Sequence, residues 1–131
     1  MEDNSKFGLT KIAQIAIHVE QTARAAAFYK DVLGMRHLFS FGELAFFDCG
    51  GVRLMLSPAE KPEFNHPASI LYYQVDDITE AFETLRERGV VFEAEPHIVA
   101  KMPSYDLWMA FFRDSEGNTL AVMSEQELEA A

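Results

Sequence analysis

The sequence predicts an α+β fold built from two βαβββ modules, and three observations lead to it. An apolar strand that runs into an amphipathic helix ending at glycine is stated twice. In the first copy Ile15-Ala16-Ile17-His18-Val19 leads through residues 20–33 to Gly34; in the second Ile70-Leu71-Tyr72-Tyr73-Gln74-Val75 leads through Asp76-Asp77 and residues 78–88 to Gly89, so that Val19 matches Val75. The repeat also continues past the helices. Ala45-Phe46-Phe47-Asp48-Cys49-Gly50-Gly51 is echoed by Ala110-Phe111-Phe112-Arg113-Asp114-Ser115-Glu116-Gly117, and Leu54-Met55-Leu56-Ser57 by the region of Ala121-Val122-Met123-Ser124. Finally, both helices are apolar along one stripe only, which requires a sheet to cover that stripe and leaves the other side for solvent. Self-similarity of this kind outranks local propensity in setting architecture.

Taken in order, residues 1–8 are polar and aperiodic and read as a loose arm. Residues 9–19 alternate, with Gln14, Ala16 and His18 on one face and Ile15, Ile17 and Val19 on the other. The first helix carries Ala25, Phe28, Tyr29, Val32 and Leu33 on its stripe and stops at Gly34, a residue free to take the left-handed conformation. Strands follow at 37–41, 44–48 and 52–57, joined by turns at Gly42 and at Gly50-Gly51. This first module covers about residues 9–57. Pro58, Pro62 and Pro67 mark residues 58–68 as the connector, and the second module covers about 69–124. There Asp77, with Glu80 three residues on, forms a capping box that starts a helix burying Ile78, Ala81, Phe82 and Leu85. After Gly89 the pattern gives a strand through Phe92, an irregular stretch at 95–106 containing Pro96 and Pro103, strands at 107–113 and 119–123, and an acidic tail from Ser124 that frays or forms a helical turn.

At 131 residues the chain is one domain's worth, 1–131, divided by the duplication. The formal charge of −10 repels nucleic-acid backbones and acidic membrane surfaces and favours cationic or neutral partners. A lone cysteine, Cys49, excludes an intrachain disulfide, and no apolar run approaches a membrane span; the expected location is the cytoplasm. The hydrophobic share of 49%, rich in Phe and Met, is more than one small barrel hides and points to a homodimer.

The phrase Ala27-Phe28-Tyr29-Lys30-Asp31-Val32-Leu33-Gly34 and the ending Phe112-Arg113-Asp114-Ser115-Glu116-Gly117-Asn118 resemble the vicinal oxygen chelate superfamily, which includes glyoxalase I, bleomycin and fosfomycin resistance proteins and extradiol dioxygenases. The resemblance covers about residues 9–123. It implies an open, cleft-containing mixed β-barrel with the helices outside, and subunits that pair as dimers. In the metal enzymes of that superfamily four inward-facing residues hold a divalent ion. Those positions fall at Gln14, Met55, Ile70 and Ala121 here. Only Gln14 offers an oxygen donor, so the usual metal site is expected to be absent and no cofactor is implied.

The remaining candidates for a ligand site are Gln14, His18, Met55, Tyr72, Gln74, His97 and Trp108. His18 shares the face of Gln14 and reads either as a binding group or base, or as a strand-end histidine. Tyr72 and Gln74 share the face of Ile70 and either line the cleft or fill the barrel. His97, Met102, Tyr105 and Trp108 gather around the proline-marked stretch, where a flat apolar ligand or a dimer contact would use the same residue types. Cys49, in a glycine turn with no base beside it, reads as a packed thiol. Two functions follow: a metal-free protein that binds a small cationic or aromatic molecule, or a glyoxalase- or dioxygenase-type enzyme with a rebuilt site.

Overall fold

The computed structural model describes residues 7–59 and 69–128. The first module consists of β1 (Gln14–His18), α1 (Thr22–Ala27), β2 (Arg36–Phe41), β3 (Leu44–Cys49) and β4 (Val52–Ser57); the second consists of β5 (Leu71–Gln74), α2 (Ile78–Glu87), β6 (His97–Lys101), β7 (Tyr105–Arg113) and β8 (Thr119–Glu127). Their sheets have the same order, β1-β4-β3-β2 and β5-β8-β7-β6. In each the first strand lies parallel to the last, and the other pairs are antiparallel. The α+β duplication read from the sequence is thus present twice over in topology. The two sheets stay separate and are not closed into a barrel within the chain. Most of the proline-marked connector, residues 60–68, lies outside the described residues, as do residues 1–6 of the expected arm.

Local chemistry explains the boundaries. The Asp77 side chain accepts the Glu80 N–H at 3.0 Å and starts α2, as the capping box requires. Gly34 has φ 70°, and Gly50 and Gly51 have φ 61° and 89°, the pair of positive values that a tight two-residue hairpin demands. Beyond Ala27 the first helix widens into a π turn over Phe28–Val32, closed by the Leu33 N–H donating to the Phe28 carbonyl at 3.1 Å.

Three expectations for the second module are corrected. The stretch 95–106 is not irregular, because it contains β6; Pro96 precedes this strand and Pro103 follows it, and an edge strand tolerates flanking residues that lack an N–H. The strand through Phe92 reduces to one bridge with Phe112. From Ser124 to Glu127 the acidic tail is neither frayed nor helical, since β8 runs to Glu127 and pairs with Tyr105, Asp106 and Leu107; residues 129–131 lie outside the described residues. Past Met123 it has no β5 neighbour, which is why its residues are polar.

Each helix packs on one face of its own sheet, α1 on β3 and β4, α2 on β7 and β8. These faces merge into one core that includes Ile17, Tyr29, Phe47, Leu54 and Leu56 from the first module and Ile78, Leu85, Phe112, Leu120 and Val122 from the second. Fully burying aromatic and branched side chains of this size stabilises by about 1.5–3 kcal/mol each.

Polar contacts then lock the junction. The Tyr29 hydroxyl donates to Asp114 Oδ2 at 2.7 Å inside the core. Asp114 in turn accepts the N–H groups of Glu116 and Asn118 at 2.8 and 2.9 Å and the Asn118 amide at 3.0 Å, which folds the turn between β7 and β8. That turn presents Glu116 to the start of α1, where it accepts the Glu20 N–H at 2.8 Å and Arg24 at 3.2 Å. The Glu20 N–H, with help from Arg24, holds the Glu116 carboxyl below its ordinary range. A lowered folded-state pKa stabilises above the unfolded value and is lost as pH falls through the folded one. Glu116→Gln should therefore lose about 1 kcal/mol in urea denaturation at pH 7, a modest figure because Arg24 is largely exposed. The deficit relative to wild type should shrink below about pH 5. A deficit unchanged down to acid unfolding would contradict this assignment.

Candidate functional site

Burial of one face of each sheet leaves the other face open, and strand register decides which side chains stand on it. In the first sheet Gln14, Ala16 and His18 of β1 lie opposite Arg53, Met55 and Ser57 of β4. Met55 in turn lies opposite Phe46, and Phe46 opposite Phe39 of β2. Phe39 stacks on Phe46 with ring centroids 4.6 Å apart, and the Arg53 guanidinium sits 5.5 Å from the Phe46 centroid. The Arg53 Nε donates to the Gln14 carbonyl at 2.8 Å, while the Gln14 amide donates to the Met55 sulfur at 3.8 Å.

The second sheet repeats this layout. Tyr72 lies opposite Ala121 and Ala121 opposite Phe111, with the Tyr72 and Phe111 rings edge to face at 6.0 Å. One row along, Gln74, Met123, Met109 and His97 run across all four strands. His97 Nδ1 lies 3.0 Å from the Glu95 carbonyl, which orients its ring at the sheet edge.

Of the residues singled out from sequence, Gln14, Met55 and His18 come together on the first open face and Tyr72, Gln74 and His97 on the second. His18 is half-buried beside Ser57 at the end of β1. Trp108 is not among them. It pairs with Ile98 and Ser124 and packs against the core on the opposite face of β7. Cys49 is partly buried, and its thiol is pushed up by burial and by the Asp48 carboxylate, which suits a packed thiol. His37 has a partner that the sequence did not suggest, Ser40 Oγ at 2.9 Å. The open-face side chains missed by sequence reasoning are Arg53, Phe46, Phe39 and Phe111. Counting back two from Met55 reaches Arg53 on the same face, a signal that was there to use.

The donor set can now be tested against a divalent ion. Ala121 is fully buried and Ile70 is apolar, Met55 offers a thioether, and the one oxygen donor, Gln14, is already bound by a guanidinium whose charge opposes a cation. Among the described residues no three His, Cys, Asp or Glu side chains stand close enough together to hold a metal ion. These residues do not fit the superfamily's metal.

Two repeated four-stranded mixed sheets, each backed by a helix and each presenting an open aromatic face, define the class of paired βαβββ proteins. Residues 11–122 match the family model described as the Glyoxalase/Bleomycin resistance protein/Dioxygenase superfamily, and the chain belongs to that superfamily. It is 28% identical over 126 residues to the uncharacterized protein YraH of Bacillus subtilis strain 168, covering 86% of this chain and 96% of YraH. In fold it is similar to TnmS3, an antibiotic binding protein from Streptomyces sp. CB03234, with a TM-score of 0.74, 20% identity and coverage of 92% of this chain and 99% of TnmS3. It is also similar to lactoylglutathione lyase from Agrobacterium tumefaciens, with a TM-score of 0.69, 24% identity and coverage of 88% and 94%.

The assignment of faces makes adjacent phenylalanines unequal. Phe47→Ala and Phe112→Ala, from the core, should each cost about 3–5 kcal/mol in chemical denaturation. Phe39→Ala and Tyr72→Ala, from the open faces, should cost less than about half of that. Equal losses across the four variants would show that the faces are wrongly assigned.

Proposed function

We propose that the protein binds a flat aromatic small molecule on its open faces without a metal ion, holding the molecule rather than transforming it. The observation that carries this reading is the pairing of stacked aromatic rings with fixed hydrogen-bonding groups, one of which, Gln14, stands at a position where the superfamily's metal enzymes carry a ligand. Phe39 and Phe46 offer a ring surface, and Arg53 and Gln14, held together at 2.8 Å, offer donors in a set geometry beside it. Arg53 supports a ligand that carries an acceptor oxygen, while the net charge of −10 keeps polyanions away. The likeness in fold to an antibiotic binding protein supports the same reading. A glyoxalase- or dioxygenase-type reaction at these positions would need donors that Met55, Ile70 and Ala121 do not supply.

The protein acts as a homodimer in the cytoplasm. Phe39, Phe41, Ile70 and Tyr72 are exposed in the single chain, and a second copy seated on the open faces would cover them and wall the ligand in.

Fluorescence titration with 1-naphthoate tests the binding. Saturable binding is expected, weakened at least about tenfold by Phe46→Ala or Arg53→Ala. Elemental analysis of protein purified without chelator should find no stoichiometric metal, and sedimentation at micromolar concentration should give a dimer. Stoichiometric zinc, nickel, iron or manganese, or binding indifferent to both substitutions, would overturn the proposal.

A further inference from the structure

The duplication creates two equivalent junctions, each between the start of one module's helix and the last hairpin turn of the other module. At the first junction α1 meets the β7–β8 turn. Tyr29, Arg24 and the Glu20 N–H all reach across it to Asp114 and Glu116, and it is filled. At the second junction α2 faces the β3–β4 turn across a cavity, and the repeat register replaces the bridging side chains. Leu85 stands where the first has Tyr29, Glu80 where it has Arg24, and Cys49 where it has Asp114.

The result is a cavity of about 630 Å³ between the modules. Its wall includes Leu85, Phe112 and Val122, and the acidic residues Asp48, Asp76, Asp77 and Glu80 also line it. Two guanidiniums also border it, of which Arg88 is held by the Val32 carbonyl at 2.9 Å. Tyr73, on β5, contributes to the wall as well, and its hydroxyl oxygen is buried with no hydrogen-bond partner among the described residues. A buried hydroxyl left unpaired is costly, so such groups are normally satisfied by something. Burial, reinforced by Cys49 and Asp114, pushes the Tyr73 pKa up, which keeps the phenol protonated and able to donate.

We infer that this inter-module cavity is a second ligand site, separate from the open faces, that takes a small aromatic amine. The apolar wall accepts the ring, the acidic border accepts the ammonium, and the Tyr73 hydroxyl gains the partner that the chain does not provide. Volume and lining agree with this size of guest, since small-molecule sites are concave, mostly apolar and carry a few placed polar groups. The broken symmetry is the decisive feature, because the same fold shows, at the equivalent junction, the residues that would have filled the space.

Titrating the uniformly ¹⁵N-labelled full chain with phenethylamine at neutral pH tests the site. Saturable shifts are expected at the amides of Cys49, Gly50, Asp77 and Glu80, with phenylacetate binding at least about fivefold more weakly. Removing charge with the pair Asp76→Asn and Glu80→Gln should weaken the amine about fivefold. The pair Cys49→Asp and Leu85→Tyr copies the filled junction and should abolish amine binding while leaving 1-naphthoate binding intact; Leu85→Phe alone serves the same purpose if the pair does not fold. The inference is overturned by absence of saturation, as for a cavity that holds water only, by shifts confined to the open faces, by equal binding of phenylacetate, or by amine binding that survives the filling. Failure of 1-naphthoate to bind would touch only the open-face proposal.

Discussion

The structure hangs on one buried carboxylate. Asp114 takes the Tyr29 hydroxyl from the first module and three N–H groups from its own turn, so a single side chain both folds the β7–β8 hairpin and fastens it to the first module's helix. Burying a charge is expensive unless its lone pairs are used, and here they are used by four donors. The bond also fixes the geometry around it. Once Tyr29 is anchored, Glu116 reaches the start of α1 and Arg24, and the two helix-bearing faces meet in one core.

That arrangement has a consequence for function. Because the helices and the inter-module contact occupy one face of each sheet, the other face of each is left free for a guest or a second subunit. Neighbours in sequence therefore have opposite fates, with Phe47 wholly buried and Phe46 stacked with Phe39 on the open side. On that side Gln14 hydrogen-bonds to Met55 and accepts from Arg53.

Much of this was legible in the sequence, for physical reasons that can be named. The strand-helix phrase at residues 15–34 recurs at 70–89, and local rules hold in both copies: Gly34 does take a positive φ and Asp77 does cap Glu80. The period of two along β1 placed Gln14 and His18 on one side, and the resemblance to the superfamily added Met55, which the register sets beside them. The tie between Tyr29 and Asp114 was not legible, because it joins positions far apart in the chain and neither residue's local pattern announces a partner. Trp108 was grouped by closeness to Pro103 rather than by parity with Ala110 and Phe112, and parity assigns it to the core face. The polar end of β8 looked like a fraying tail because a strand paired with only β7 there needs few apolar side chains.

The duplication also exposes what each module has given up. One junction between the modules is filled by a phenol and a carboxylate; the other is left hollow by a leucine and a cysteine. The filled one ties the modules together through hydrogen bonds of Tyr29, Arg24 and Glu20 to Asp114 and Glu116. The most direct measurement of that claim is a double-mutant cycle on Tyr29→Phe and Asp114→Ala followed by urea denaturation at neutral pH. A favourable coupling of about 1–3 kcal/mol is the result this account requires, as for a charge-assisted bond inside a core. Additive losses, within about 0.3 kcal/mol, would mean that the two modules are held by packing alone and that Asp114 does no more than fold its own turn.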